Sequence, residues 1–410
     1  MPRASTDASA ALLFLLTGFL SLQPLSTDLY LASLPALREH FAGSVSSVQL
    51  TLSAFLAGFA LSQLIAGPLS DRFGRRPVAI GGCVLYVGAS LAGMVAPSLA
   101  VLIGARVLQA IAVCCTVVCA RAIVRDLYEA EAGARVLARA LTWMGIVPIA
   151  GPVAGGLLQA GLGWRANFAA LTLLGAILLA AALRTLPETN RHLDASATDL
   201  RALARNYARI AASRRFWSYA LPVTGSYSAL FCFISGASFV LIEIFGIPPQ
   251  RFGFAYALVT VGYLLGTMAL RSVLGRLGLV GSVRAGATVA LASGAAMAAL
   301  ALAGVRTLPA VMVPMFLAVT AHGFIQPACQ IGAIDPFPRQ AGAAAALMGF
   351  TMLAVAAAAG WAVGAMHDGS TRPLALGVAV CGAFCALSAW GLLRREPRTA
   401  VEAAGAQGHR

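Results

Sequence analysis

Asp28 and Arg106 are ionisable residues set deep inside long apolar runs. A charge in a lipid interior costs at least about 2.5–3.5 kcal/mol, so each requires a compensating partner or a task. A carboxylate exposed first to one aqueous side and then to the other can carry one proton per cycle. Arg106 is a base able to share a polar cavity with that acid, although a purely structural buried pair is the competing reading. Gln109, one helical turn from Arg106, adds amide groups to the same face. His322 lies in another apolar run, where a lone histidine more often bridges helices by a hydrogen bond. Most other acids fall in loops or tails. Glu243 is the near-membrane exception, beside Gly246 and Pro248.

The runs that must position these groups dominate the chain. Of 410 residues, 59% are hydrophobic and 11% charged, with a mean hydropathy of +0.83. Soluble globules carry about a quarter charged residues. This composition excludes disorder, a disulfide scaffold and a soluble enzyme. The net charge of +14 would ordinarily raise nucleic acid as a partner. Here every base is arginine and they are scattered between long apolar runs, so no nucleic-acid groove is expected. The eight cysteines sit in apolar runs without CxxC or Cys/His spacing, and read as small apolar side chains rather than metal ligands. Arg3 before the run Ala10 to Leu22 mimics a secretory signal. The run continues past Pro24 to Leu37 with no A-x-A site, and reads as a first span.

A hydrocarbon core roughly 30 Å thick takes about 20 apolar residues per helix. Twelve segments qualify: 10–37, 47–68, 78–96, 98–120, 136–160, 166–186, 217–244, 252–270, 282–304, 308–333, 342–366 and 373–393. The longest interruption, 187–216, divides the chain into halves 1–186 and 217–393, with a tail at 394–410. This is the parallel-repeat plan of many carriers. The expected fold is an all-α membrane protein with twelve transmembrane helices in two six-helix halves. With the N-terminus in the cytoplasm, 23 of the 29 arginines fall on that side, five on the other, and Arg106 inside. Both termini are then cytoplasmic. Asp28 lies nine residues before Leu37 and Arg106 eight after Ser98. Both depths are about 12–14 Å below the outer face.

Between the halves, Thr198 and Asp199 mark a helix start. Leu200, Leu203, Tyr207 and Ile210 then form one apolar stripe, and Arg201, Arg205 and Arg209 another face. That pattern fits a helix lying on an anionic membrane surface, against the plainer reading of a solvated linker.

After span two, Gly67 and Gly74 permit a tight turn, Asp71 can cap a helix start, and Arg72, Arg75 and Arg76 anchor at the lipid surface. The second half repeats this degenerately over 270–277, with Gly275 and Arg276 at the same spacing and Ser272 in place of the acid. Span five holds Gly145, Pro148, Gly151, Pro152, Gly155 and Gly156, which weaken the helix and allow close backbone approach. Gly262 and Gly266 stripe span eight, Ala54, Gly58, Ser62 and Ala66 span two, and Ala356, Gly360 and Gly364 span eleven. These smooth faces are expected between the halves, with generic small-residue packing as the alternative.

These motifs resemble the major facilitator superfamily, specifically its twelve-span drug:proton antiporters. The stretch Gly67 to Arg76 looks like motif A. Leu102, Arg106 and Gln109 look like motif B, with Ala110 replacing a glycine, and Gly145 to Gly156 looks like motif C of the exporter branch. Asp28-Leu29-Tyr30-Leu31 is similar to the acid-Met-Tyr-Leu-Pro signature of the bicyclomycin/chloramphenicol resistance subfamily. Ala32 stands at its proline, a departure expected to weaken the kink. Ser238 to Gly253, Pro336 to Gly349 and His367 to Ser370 also look like this subfamily.

The resemblance implies that Asp28 is the protonation and cation-recognition site and that Arg106 and Gln109 couple it to substrate. Asp71 with Arg75 would form a gate latch, with Arg72, Gly74, Gly151, Pro152 and Gly155 completing the gating set. Tyr30 and Phe231 are the candidate pocket aromatics. The implied activity is proton-coupled antiport, exporting drugs or other small, largely apolar compounds across the bacterial inner membrane by alternating access. Its partners are a small-molecule substrate, protons and the lipid bilayer; it would be a monomer, without a cofactor, driven by the proton gradient. Proton-coupled uptake or export of a metabolite is the alternative, and motif C opposes uptake. A membrane enzyme or a non-transporting sensor is opposed by the lack of HExxH, a nucleophile elbow, a phosphate loop or a soluble sensing domain.

Overall fold

A computed structural model describes residues 9–393. Arg3, the tail 394–410 and its Arg394, Arg395, Arg398 and Arg410, all used in the charge count, lie outside the described residues. Within them every regular element is helical. The N-terminal group comprises α1 (Ala10–Asp28), α2 (Leu34–His40), α3 (Val45–Phe73), α4 (Arg75–Met94), α5 (Leu99–Leu127), α6 (Ala130–Met144), α7 (Val147–Leu162) and α8 (Arg165–Thr185). The linker carries α9 (Leu200–Ala211). The C-terminal group comprises α10 (Arg214–Ser238), α11 (Pro249–Leu302), α12 (Leu308–Ile334), α13 (Ala341–Ala365) and α14 (Arg372–Leu392). A 3₁₀ turn, Leu31–Ser33, follows α1. A π-helical segment, Phe239–Ile244, extends α10, and a second 3₁₀ turn, Pro338–Gln340, precedes α13.

Eleven helical stretches among the described residues are long and apolar enough to cross a membrane, not the twelve expected. The difference is α11, whose 54 residues replace two expected spans and the loop between them. At about 1.5 Å per residue it is far longer than a bilayer is thick. Its path breaks at Gly278, with φ 66° and ψ 178°, in place of a loop. Gly74, at φ 97°, makes the same one-residue turn between α3 and α4. Both conformations suit glycine, because a Cβ there meets the neighbouring carbonyl. Gly67 makes no turn; it lies inside α3. Aligning the two turn glycines shifts the repeat by three residues from the expected register. Gly275 then stands opposite Asp71, and Ser272 is not the counterpart of that acid.

The two helix groups meet along two seams, α3 against α13 and α7 against α11. Not every small-residue stripe serves them. Gly58 packs on Val107 and Ala110 of α5, and Gly262 and Gly266 pack on backbone carbonyls of Phe316 and Thr320 in α12, all within one group. On α13, Gly360 packs on Phe231 and Ser235 of α10, whereas Gly349 and Gly364 meet Gln63 and Gln49 of α3 across the seam. At the α7 seam the close approach is to backbone rather than to side chains. A methyl built on Gly156 would fall 2.2 Å from the Pro249 carbonyl oxygen, and one on Gly253 would fall 2.4 Å from the Val153 backbone.

Candidate functional site

Asp28 is the last residue of α1, and the chain leaves the helix immediately after it. Pro24 inside α1 removes a backbone donor, and Thr27 Oγ1 donates to the Pro24 carbonyl at 2.9 Å. The helix ends here although Ala32 replaces the expected proline. The carboxylate is 5% exposed, and its side-chain hydrogen-bond partner is Thr27 Oγ1 at 3.1 Å. It lies within electrostatic reach of Tyr227 on α10 and Tyr256 on α11. Gly151 lies against its Cβ. A methyl on Gly155 would fall 1.7 Å from the Leu29 carbonyl oxygen. The α7 glycines thus press on the backbone that carries the acid, as part of a helix that also contains Pro152.

Arg106 does not pair with Asp28, which corrects the shared-cavity expectation. Matching depths leave direction open: Asp28 faces the C-terminal group, while Tyr30, two residues on, turns into the N-terminal group. Arg106 is fully buried there between the rings of Tyr30, at 4.7 Å, and Phe55, at 4.4 Å. Such ring faces attract a desolvated guanidinium by about 2 kcal/mol or more. Arg106 Nη1 donates to Gln109 Oε1 at 2.9 Å, and Gln109 Nε2 donates to Ser90 Oγ at 2.7 Å. Arg106 Nε and Nη2 have no hydrogen-bond partner among the described residues. Tyr30 OH is hydrogen-bonded to Thr51 Oγ1, and Tyr86 OH to Ser26 Oγ at 2.8 Å. The candidate pocket aromatics are both engaged inside the protein. Tyr30 serves the arginine and Phe231 packs beneath Gly360, and neither lines the cavity described below.

Polar groups passed over in the sequence close the seam near Asp28. Ser238 Oγ donates to the Leu31 carbonyl at 2.6 Å, and Gln49 Nε2 to the Ser235 carbonyl at 2.9 Å; both cross between groups. Farther out, Arg38 Nη1 meets Glu243 Oε2 at 2.7 Å. Ser238 immediately precedes the π-helical segment and Glu243 lies within it, a geometry often found at functional positions. On the N-terminal side, Asn167 Nδ2 donates to Ser33 Oγ and Ser33 Oγ to Gln159 Oε1, both at 2.7 Å. The available sequence signal was a polar side chain in an apolar span.

At the opposite end, on the face bearing α9, Asp71 sits in the last turn of α3 and caps no helix start. Glu188 does that work: its carboxylate accepts from Arg75 N at 2.9 Å and Arg76 N at 3.1 Å, at the start of α4. Arg75 is 3% exposed, not anchored in lipid. It bonds Asp71 Oδ1 at 2.6 Å, Asp126 Oδ2 at 3.0 Å and Ser70 Oγ at 2.6 Å. Arg72 is hydrogen-bonded to Thr198 Oγ1. None of these bonds reaches the C-terminal group.

Beside this cluster lies a cavity of about 650 Å³ between α3, α5 and α13. The linker helix α9 borders it through Leu203, Asn206 and Tyr207, and Tyr207 OH donates to the Leu64 carbonyl at 2.8 Å. Asp199 caps α9 by accepting from Arg201 N at 2.9 Å. The apolar stripe therefore turns toward protein and cavity rather than lipid: Ile210 is buried, though Leu200 remains 73% exposed. Asp194, also on the cavity wall, accepts from Ser196 N and Oγ, which holds its carboxyl below the usual carboxylate range.

His322 on α12 shares a 2.8 Å hydrogen bond with Ser226 Oγ on α10, between the rings of Tyr227 and Tyr263. Among the described residues no group of three His, Cys, Asp or Glu side chains is placed to hold a metal ion.

Residues 14–361 match the family model of the Major Facilitator Superfamily. A bicyclomycin resistance protein homolog of Haemophilus influenzae is 26% identical, over 93% of this chain and 96% of its own. A chloramphenicol resistance protein of Pseudomonas aeruginosa is 30% identical, over 75% of this chain and 73% of its own. Among solved structures, a D-xylose-proton symporter superposes with a TM-score of 0.71 at 16% identity, covering 95% of this chain and all of that one. An inward-facing bacterial homologue of the lysosomal transporter Spinster gives 0.71 at 15%, covering 92% and 94%. At such identities the structural likeness speaks for the fold.

Proposed function

Since the chain belongs to the Major Facilitator Superfamily, and is a multi-pass membrane transporter rather than an enzyme, we propose that it exchanges protons for drugs or other small, largely apolar compounds. Export runs across the bacterial inner membrane by alternating access. The observation that carries this reading is Asp28: a buried acid without an ion-pair partner among the described residues, on broken helical backbone, at the closed end of the seam. Relatives named for bicyclomycin and chloramphenicol resistance support a drug-like substrate. Counted as two crossings on either side of Gly278, α11 brings the spans to twelve in two halves, 1–186 and 217–393, joined by 187–216. The arginine asymmetry puts the α9 face, and both termini, in the cytoplasm. The structure is then open inward: substrate enters the cavity beside α9, and the halves rock about the Asp28 region.

Substrate binding near Asp28 promotes release of its proton to the cytoplasm, and the reopened outer side restores it. Asp71 and Arg75 act as an inner latch when the cavity closes, and Arg106 with Gln109 holds Tyr30 and the broken segment in place. Asp28→Asn abolishes pH-gradient-driven efflux in vesicles while its thermal unfolding matches the parent's. Retained gradient-dependent efflux by that variant sinks the assignment. Proton movement in the same direction as substrate would instead assign uptake.

A further inference from the structure

The cavity beside α9 carries more positive charge than the passage of apolar compounds calls for. Arg121 and Arg125, one turn apart on α5, and Arg339, in the 3₁₀ turn before α13, all line it. None of the three forms an ion pair or a side-chain hydrogen bond among the described residues. The acids on the same wall are already engaged: Asp71 with Arg75, and Asp194 with Ser196. Between the arginines the surface is apolar, with Val117 on α5 facing Ala343 and Ala346 on α13.

We infer that this cavity is a binding site for an amphiphilic anion, a phosphate or carboxylate head on a short apolar body. Guanidinium forks match the paired oxygens of both heads, and charge-assisted bonds of this kind are about twice as strong as neutral ones. The apolar walls take the body, and about 650 Å³ is in the range of small-molecule pockets. Because the arginines come from both helix groups, closing the cavity drives like charges together. An anion between them turns that repulsion into a bridge, so binding favours closure. The head can belong to a soluble organic anion or to an anionic lipid at the cavity mouth.

The inference rests on the proposed function only in taking this cavity for the entrance. Its test is an equilibrium titration of the purified full chain in neutral detergent with hexyl phosphate, and with hexanol as the uncharged control. Hexyl phosphate should bind about tenfold or more tightly than hexanol, more weakly at high salt, and about tenfold more weakly to Arg121→Gln/Arg339→Gln. Single Arg125→Gln and Arg339→Gln variants, both at exposed side chains, give intermediate losses should the double variant fold poorly. Asp28→Asn retains full binding, which separates failure here from failure of proton coupling. Equal affinity for hexanol, or unchanged affinity in the arginine variants, overturns the inference. In nanodiscs, weaker apparent binding with phosphatidylglycerol than with phosphatidylcholine assigns the site to a lipid head. Equal binding assigns it to a soluble anion.

Discussion

At the end of the seam near Asp28, α7 touches the Leu29 backbone through Gly155 while Ser238 and Gln49 tie carbonyls across the groups. At the other end, α3 and α13 part around a cavity bordered by arginines and by α9. The closed end is held by backbone contacts and neutral hydrogen bonds, with one ion pair at its rim. The open end concentrates its charges, and its strongest ion pairs join parts of the N-terminal group to one another. At the open end charge braces the N-terminal group; apart from the Arg38–Glu243 pair at the rim, contact without charge joins the two groups at the closed end. A carrier benefits from that division, since a seam of modest neutral bonds can be broken and remade at small cost in each cycle.

Gly155→Ala should break the comparison most severely. Its methyl meets a main-chain oxygen with no flexible side chain to yield, an overpacking costing about 1–3 kcal/mol or more. Transport should be lost and the unfolding temperature should fall. Parental flux and stability would show that α7 is not pressed on the acid's backbone. Ser238→Ala comes next. It leaves the Leu31 carbonyl without its donor, about 1–3 kcal/mol, and hydrogen exchange over 29–33 should speed by tenfold or more. Exchange unchanged from the parent would take Ser238 out of the seal. Glu243→Gln is the mildest change. With both partners well exposed, the pair contributes about 0.2–1 kcal/mol, and its small effect on transport should vanish at high salt. A larger, salt-independent loss would mean that the rim rather than the Ser238 and Gln49 bonds holds the closed end.

The spans were legible in sequence because long apolar runs admit few alternatives, and Asp28 stood out because a carboxylate among them costs so much. The turns were less so. Gly275 and Gly278 read alike as letters, and only the backbone shows which adopts the positive φ. Asp28 and Arg106 lie at matching distances from their span ends in sequence, but the angle around the helix axis decided their partners. Ser238 and Gln49 escaped notice because a small or neutral polar side chain is common in spans and is often satisfied locally. Glu188 escaped because its cap on α4 spans more than a hundred residues of chain. The α9 stripe was real, yet hydrophobic periodicity cannot distinguish a lipid surface from the rim of the protein's own cavity.

The irregular stretch from Leu29 to Ser33 carries one last consequence. Backbone outside a regular helix survives at membrane depth only against protein or water. When the closed end opens, the Leu31 carbonyl leaves Ser238, and the Ser235 carbonyl leaves Gln49. Water must take their place. Opening is therefore a wetting transition as well as a rotation, and the speed with which the cleft around Asp28 fills becomes part of the transport rate.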